Sequence, residues 1–134
     1  MMLNRKAKSK RILALDPGWN SGIAVFEDDS KCSPPVMTML LKAASGNWKT
    51  KIILLAGKLD DILEKDPLIT TLVVEVPTFW QSSDRGKIAA EKQFLTHLAV
   101  LVGAFGGVAI ARGLAFVPVE VNEWNRQPDV QTCQ

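Results

Sequence analysis

The chain has 134 residues, of which 47% are hydrophobic and 22% charged, and its formal net charge is +2. This length and composition are typical of one folded domain with its own core, and they exclude a largely disordered chain. The net charge conceals an asymmetry, because residues 1–11 hold five Lys and Arg without any Asp or Glu. The other 11 cations and 14 acids give residues 12–134 a charge of −3.

Residues 1–10 are predicted to form a basic, disordered leader. This leader is either a solvated tail or an arm that binds phosphate groups. It does not have the form of a signal peptide, because Asp16 interrupts the first apolar run after the basic residues.

The first two structural elements are predicted within residues 11–26, R-I-L-A-L-D-P-G-W-N-S-G-I-A-V-F. Residues 12–15 form a short apolar run, which predicts a buried strand that ends on Asp16. The turn residues that follow predict a reversal of the chain, and residues 23–26 predict a second strand. Burial of a carboxylate costs free energy, so Asp16 either hydrogen-bonds to the amides of its own turn or meets a cationic group.

Two strands and a helix are predicted next. Residues 36–41 have the length and composition of a third strand, which favours an antiparallel arrangement of the first three. Between residues 48 and 65 the apolar side chains recur at helical spacing, which predicts an amphipathic helix. Residues 70–76 are rich in β-branched side chains, and they predict a fourth strand that contains Glu75 and ends at Pro77.

A long second helix is predicted over residues 87–112. Its section 98–111 is uncharged for 14 residues, which is short of a membrane span and indicates a buried helix. Three glycines in this section indicate close packing against the sheet or against a second subunit: Gly103, Gly106 and Gly107. Residues 114–119 predict the last strand.

The element order β-β-β-α-β-α-β predicts an α/β fold with a five-stranded mixed sheet flanked by helices. We expect this domain to cover residues 11–120, followed by a polar tail over residues 121–134. Cys32 and Cys133 lie far apart in polar surroundings, and a single His gives no zinc-binding spacing. We therefore expect an intracellular, cytoplasmic protein in a reducing compartment, without a membrane segment or a small-molecule cofactor.

Glu75 is the second acid placed in an apolar strand, where unpaired carboxylates are rare. If its strand neighbours that of Asp16, the two carboxylates converge, and their repulsion requires a cation. Hard oxygen ligands select Mg²⁺ or Mn²⁺, and a two-metal site for phosphoryl transfer is one outcome. The alternative is that Glu75 forms an ion pair with Arg85 or caps the loop that follows.

The element order resembles that of the RNase H-like superfamily, as do D-P-G-x-x-x-G after the first strand and V-V-E-V-P at the end of the fourth. Within it, the chain is most similar to RuvC-type Holliday junction resolvases and their phage relatives, over about residues 12–119. The resemblance implies an RNase H-like fold. It also implies an endonuclease that uses Mg²⁺ or Mn²⁺ and cuts branched DNA as a homodimer.

By position, the resemblance makes Asp16 the first metal-binding carboxylate and Glu75 the second. It places Phe79 or Trp80 beside the junction, where an aromatic ring would stack on a base without regard to sequence. The alternative for these two rings is a hydrophobic plug under their loop. Basic residues at the start of the long helix would contact backbone phosphates, unless they form only a solvated face: Arg85, Lys87 and Lys92.

The sequence departs from the family after the fifth strand, where the resemblance implies a helix that carries two further acids. Pro128 interrupts any helix there, so the chain resembles a truncated member. Glu123 is the candidate for a third catalytic carboxylate, since it follows the last strand closely. An incomplete site predicts that the chain binds branched DNA weakly and cleaves it poorly, because two carboxylates hold at most one weakly bound ion.

Two other functions stay open on the sequence alone. A non-catalytic protein would keep the fold and the affinity for branched DNA without cleaving it. The segment D-P-G-W-N-S-G is also similar to the phosphate loop of actin-like ATPases. Those ATPases bind nucleotide between two large domains, whereas 134 residues supply one.

Overall fold

The computed structural model describes residues 9–29, 33–76 and 85–120, and for residues 85–92 it describes the backbone alone. Five strands lie within these ranges: β1 (Arg11–Asp16), β2 (Asn20–Glu27), β3 (Met37–Lys42), β4 (Ile69–Val76) and β5 (Ala115–Glu120). Two helices connect them: α1 (Trp48–Lys65) and α2 (Arg85–Ala111). The predicted α/β class with a five-stranded mixed sheet is confirmed.

The strands form one sheet in the order β3-β2-β1-β4-β5. β2 pairs antiparallel with both β1 and β3, whereas β4 pairs in parallel with both β1 and β5. Because β1 and β4 run in the same direction, Asp16 and Glu75 finish at the same end of the sheet. We call this the carboxylate end. β1 is the central strand, so its last residue has a neighbouring strand on both sides.

α1 forms where the sequence changes to helical spacing. Its first turn is capped by Asn47, whose side chain accepts a hydrogen bond of 2.9 Å from the amide of Thr50. The residues that it buries recur every three or four positions: Ile52, Leu55, Leu59 and Leu63. The helix ends at Lys65, because Pro67 disfavours the helical conformation at Asp66, whose φ and ψ are −124° and 83°.

The core lies between both helices and one face of the sheet. Alternate residues of β1 and β4 point towards the helices and are almost completely buried: Leu13, Leu15, Leu72 and Val74. Phe105 of α2 packs among them with no exposed surface. No described helix covers the opposite face of the sheet, where Leu40 is 54% exposed and Val117 is 40% exposed. We call this the open face.

α2 is less buried than the sequence predicted, since Phe94, Val100 and Ile110 are 50%, 45% and 63% exposed. Apolar residues surround this helix on all sides, so periodicity could not indicate which side packs on the sheet. The uncharged section is also longer than predicted. Gln93–Ala111, with 19 residues, is long and apolar enough to cross a membrane by length and composition. This is weak evidence for a span, because core helices pass the same test and Phe105 lies in the core.

The three glycines of α2 have different surroundings. A Cβ atom on Gly106 would lie 2.6 Å from Cε2 of Phe116 in β5, so the predicted close packing is right for this residue. Gly103 and Gly107 do not pack against the sheet, because a Cβ atom there would meet nothing within 4 Å, and packing against a second subunit stays a prediction for these two. Gly107 is about 100° around the helix axis from Gly106, which turns it away from the sheet.

Candidate carboxylate site

Asp16 and Glu75 lie side by side at the carboxylate end. The parallel register pairs Ala14 with Val73 and Leu15 with Val74, so the next step sets Asp16 beside Glu75. Leu15 and Val74 are buried under the helices, and alternation therefore directs both acids to the open face. Neighbouring strands are about 4.8 Å apart, which brings the two carboxylates within reach of one metal ion.

The two acids line an open groove of about 500 Å³ on this face. Small side chains on β1 and β2 form its floor: Ala14, Gly22 and Ala24. Gly22 is the β2 partner of Asp16, and a Cβ atom there would lie 4.0 Å from that of Asp16. Thr38 and Leu40 of β3 form the far wall. The small residues thus leave space beside Asp16 for a ligand to approach the carboxylates.

The turn between β1 and β2 is stabilised without Asp16. The hydroxyl of Ser21 accepts a hydrogen bond of 3.1 Å from the amide of Gly18 and donates one of 2.6 Å to its carbonyl oxygen. Ser21 itself is completely buried. Asp16 is exposed rather than buried, and no described donor meets its carboxylate. The alternative that Asp16 serves only to satisfy its own turn is therefore wrong.

The carboxylates of Asp16 and Glu75 repel each other electrostatically. Partial burial raises the pKa of Glu75 above its ordinary value, and the negative charge of Asp16 raises it further. Among the described residues, no cation forms an ion pair with either acid. A divalent cation held between them would offset this repulsion, and two carboxylates are the hard oxygen donors that Mg²⁺ and Mn²⁺ prefer.

The raised pKa of Glu75 leads to a prediction about the thermal stability of the metal-free protein. The folded protein binds a proton at Glu75 more tightly than the unfolded chain does, so the stability that this proton contributes is complete below the ordinary Glu pKa. It is lost as the pH rises through the raised pKa. We expect Glu75→Gln to raise the melting temperature by about 2 °C at neutral pH and to change nothing near pH 3.5. Thermal denaturation in EDTA at both pH values measures this, with Glu120→Gln as the control. A variant that melts below the wild type at neutral pH would contradict it.

The described residues do not complete a larger ligand set. No group of three or more His, Cys, Asp and Glu side chains that could hold a metal ion lies among them. Glu120 ends β5 beside Val76, whereas Val119 is the partner of Glu75. Alternation therefore turns Glu120 towards the opposite side of the sheet from Glu75. Within the described part of the chain, Asp16 and Glu75 are the carboxylates that share this site.

Several predicted residues lie outside the described part of the chain. These are Glu123, the aromatic residues Phe79 and Trp80, and the two cysteines Cys32 and Cys133, together with most of the leader and the whole tail. The structure places the basic residues Arg85, Lys87 and Lys92 on α2 without describing their side chains. An ion pair between Glu75 and Arg85 is therefore also outside the description.

An aromatic cluster near the carboxylate end was not predicted. His97 of α2 stacks on Trp48 of α1, with ring centroids 4.0 Å apart and planes inclined by 11°. Trp19, in the turn after β1, lies 6.4 Å from the same imidazole. These residues are 29 to 78 positions apart in the sequence, so no local pattern could have connected them.

Comparisons with known proteins indicate the fold. No protein-family model matches the chain, and no curated protein matches it either. Among solved structures it is similar to RuvC of Thermus thermophilus in complex with a Holliday junction substrate, with a TM-score of 0.60 and 14% identity over 85% of this chain. A second Thermus thermophilus RuvC structure has a TM-score of 0.57 and 15% identity over 82% of this chain. The matches span 66% and 63% of those RuvC chains. At this identity the likeness shows the fold alone, and it agrees with the RNase H-like fold that the resemblance implied.

Proposed function

We propose that the chain is a divalent-metal-dependent, structure-selective endonuclease that acts on branched DNA. One observation carries the proposal: Asp16 and Glu75 meet on adjacent parallel strands, at an open groove and without a described cationic partner. The fold that presents them is similar to that of RuvC, which was solved with a Holliday junction. Branched DNA as substrate and an intracellular place of action both rest on this likeness.

The two carboxylates would hold Mg²⁺ or Mn²⁺. Bound by these two residues, the ion would supply Lewis-acid chemistry: activation of a water molecule and stabilisation of the negative charge on a leaving phosphate oxygen. Glu75 must lose its proton to act as a ligand, and its raised pKa makes that loss less favourable in the metal-free protein. Gly22 and Ala24 on the floor of the groove have no bulky side chain, so a sugar–phosphate strand would have space to approach both acids.

Further contacts are proposed from the sequence. Glu123 would supply a third carboxylate. Phe79 or Trp80 would stack on a base. The basic residues at the start of α2 would bind phosphates: Arg85, Lys87 and Lys92. Without a third carboxylate, two acids retain one ion weakly, and cleavage is expected to be poor. The second candidate function is binding of branched DNA without cleavage, which would follow if Asp16 and Glu75 are the only carboxylates at the site.

We also propose that the protein acts as a homodimer. Exposed small and apolar residues follow one side of α2 at alternating spacings of three and four: Val100, Gly103, Gly107 and Ile110. The glycines would let a helix of a second copy approach closely, which would cover the apolar surface. Sedimentation at tens of micromolar tests this proposal, and a monomer there would exclude the dimer.

The experiment for the proposed function compares a four-way DNA junction with a linear duplex of the same sequence. We expect the chain to bind the junction more tightly in a gel-shift assay, with an affinity that falls as salt rises. Any cleavage of the junction should require Mg²⁺ or Mn²⁺. Binding without cleavage would favour the non-catalytic candidate.

An actin-like ATPase would instead bind nucleotide through the loop after β1. The amide of Gly18 in this loop already donates a hydrogen bond to the hydroxyl of Ser21, so it is not directed at a phosphate.

A further inference from the structure

Two lysines of α1 lie against the aromatic cluster of Trp19, Trp48 and His97. The Lys49 ammonium lies 5.7 Å from the ring centroid of Trp48, and the Lys51 ammonium lies 5.6 Å from that of Trp19. These distances are within the range of cation–π attraction. The tryptophan rings therefore hold the two lysines in place while their charges stay available to an anion.

No described acidic side chain neutralises the charge of this patch. Neither lysine takes part in an ion pair among the described residues. The first turn of α1, which begins at Trp48, also contains no acidic residue. Ion pairs do occur at the other end of the same helix, where Arg11 binds Asp66 and Arg112 binds Asp60. The start of α1 is therefore the end of this helix at which unpaired positive charge is concentrated.

The patch is connected to the carboxylate site through the turn after β1. Trp19 follows Asp16 by three residues, so their Cα atoms are at most about 11 Å apart. The amide of Ala43 donates a hydrogen bond of 3.3 Å to the carbonyl oxygen of Trp19, which connects the segment before α1 to this turn. Trp19 and Trp48 are both partly exposed. The patch lies on the helix side of the sheet and the acids on the open face, so a polynucleotide that passes around the carboxylate end would contact both.

We propose that Lys49 and Lys51, positioned by Trp48 and Trp19, bind backbone phosphates of the DNA strand within a few nucleotides of the Asp16–Glu75 site. The exposed parts of the two indole rings contact the adjoining sugars or bases. His97 supports Trp48 from the side of α2. This inference rests on the proposed function, since it concerns the DNA that the carboxylate site would act on.

The test measures DNA binding in EDTA, so that it does not depend on metal or cleavage. A fluorescein-labelled single strand of about 20 nucleotides is titrated at several salt concentrations, and the slope of log K against log salt is determined. Each phosphate contact on a single strand contributes about 0.7 to the slope. We expect Lys51→Gln to reduce the slope by about 0.7 and Lys49→Gln with Lys51→Gln by about 1.4. The double variant should bind at least about fivefold more weakly at moderate salt, and Lys49→Arg with Lys51→Arg should retain the wild-type slope.

Lys65→Gln is the matched control, because Lys65 is exposed on the same helix about 21 Å from Lys51. It should leave the slope unchanged. If the double variant has the same slope as this control while the wild type binds the strand and the junction, the patch inference is wrong and the proposed function stands. If the wild type binds neither DNA, both are overturned. A melting temperature within about 2 °C of the wild type verifies that the variants are folded.

Discussion

Asp16→Asn should reduce metal-dependent cleavage of a four-way junction by roughly a hundredfold or more. The substitution keeps the size of the side chain but removes the negative charge beside Glu75 on the open face. Loss of groups that merely orient metal ligands already costs about 10- to 100-fold in activity, so loss of a ligand should cost at least as much. Cleavage is measured at high Mn²⁺ concentration, where the weakly held ion of a two-carboxylate site is most occupied.

DNA binding separates this effect from a loss of folding. Asn at position 16 removes a negative charge from a surface that would face phosphates. The junction should therefore bind to the Asp16→Asn variant at least as tightly as it binds to the wild type. Asp28→Asn is the control, because Asp28 is an exposed acid at the far end of β2 from Asp16. Its cleavage activity should equal that of the wild type. Cleavage by Asp16→Asn within threefold of the wild type would remove this residue from the catalytic site.

The second large effect concerns the attachment of α2 to the sheet. Gly106→Val should lower the free energy of unfolding by about 2–3 kcal/mol, because its side chain would overlap the ring of Phe116, which packs against the core. Even a Cβ atom there would be 2.6 Å from Cε2 and 2.8 Å from Cζ of that ring. Urea denaturation measures the change, with the slope m taken as a check that the unfolding transition stays comparable.

Gly107→Ala is the matched control for this prediction. A Cβ atom at Gly107 meets nothing within 4 Å, so the substitution should stabilise the monomer by up to about 1 kcal/mol through helix propensity. Combining Gly106→Val with Phe116→Leu should recover part of the lost stability, because the smaller side chain makes room for Val. Equal stability of Gly106→Val and the wild type would show that α2 does not pack on β5 in this way.

The strands that carry the two acids were the easiest part of the fold to predict. Residues 12–15 and 70–76 are apolar and bounded by turn residues, so a strand was the simplest interpretation of each. That Asp16 and Glu75 share a face follows from the parallel pairing of β1 with β4. Single-strand patterns do not contain this information, because strand order is set by the packing of the whole domain. The expectation that these two strands are neighbours came from the resemblance in element order.

The surfaces of α2 could not be predicted for a different reason. A helix that is apolar on every side gives no periodic signal, so the exposure of Val100 and the burial of Phe105 are decided by tertiary packing alone. The cluster of Trp19, Trp48 and His97 depends in the same way on how α1 and α2 meet the turn after β1. Contacts between residues so far apart in sequence leave no local pattern.

The central claim is that Asp16 and Glu75 form one shared site for a divalent cation, and direct measurement of Mn²⁺ binding tests it without depending on cleavage. Free Mn²⁺ is measured by electron paramagnetic resonance for the wild type, Asp16→Asn, Glu75→Gln and the double variant. A shared site predicts weak binding to the wild type and an affinity at least about tenfold lower in each single variant. The double variant should bind no more weakly than the weaker single variant, because either substitution already breaks the shared site. Binding that is unchanged by both single substitutions would contradict the account.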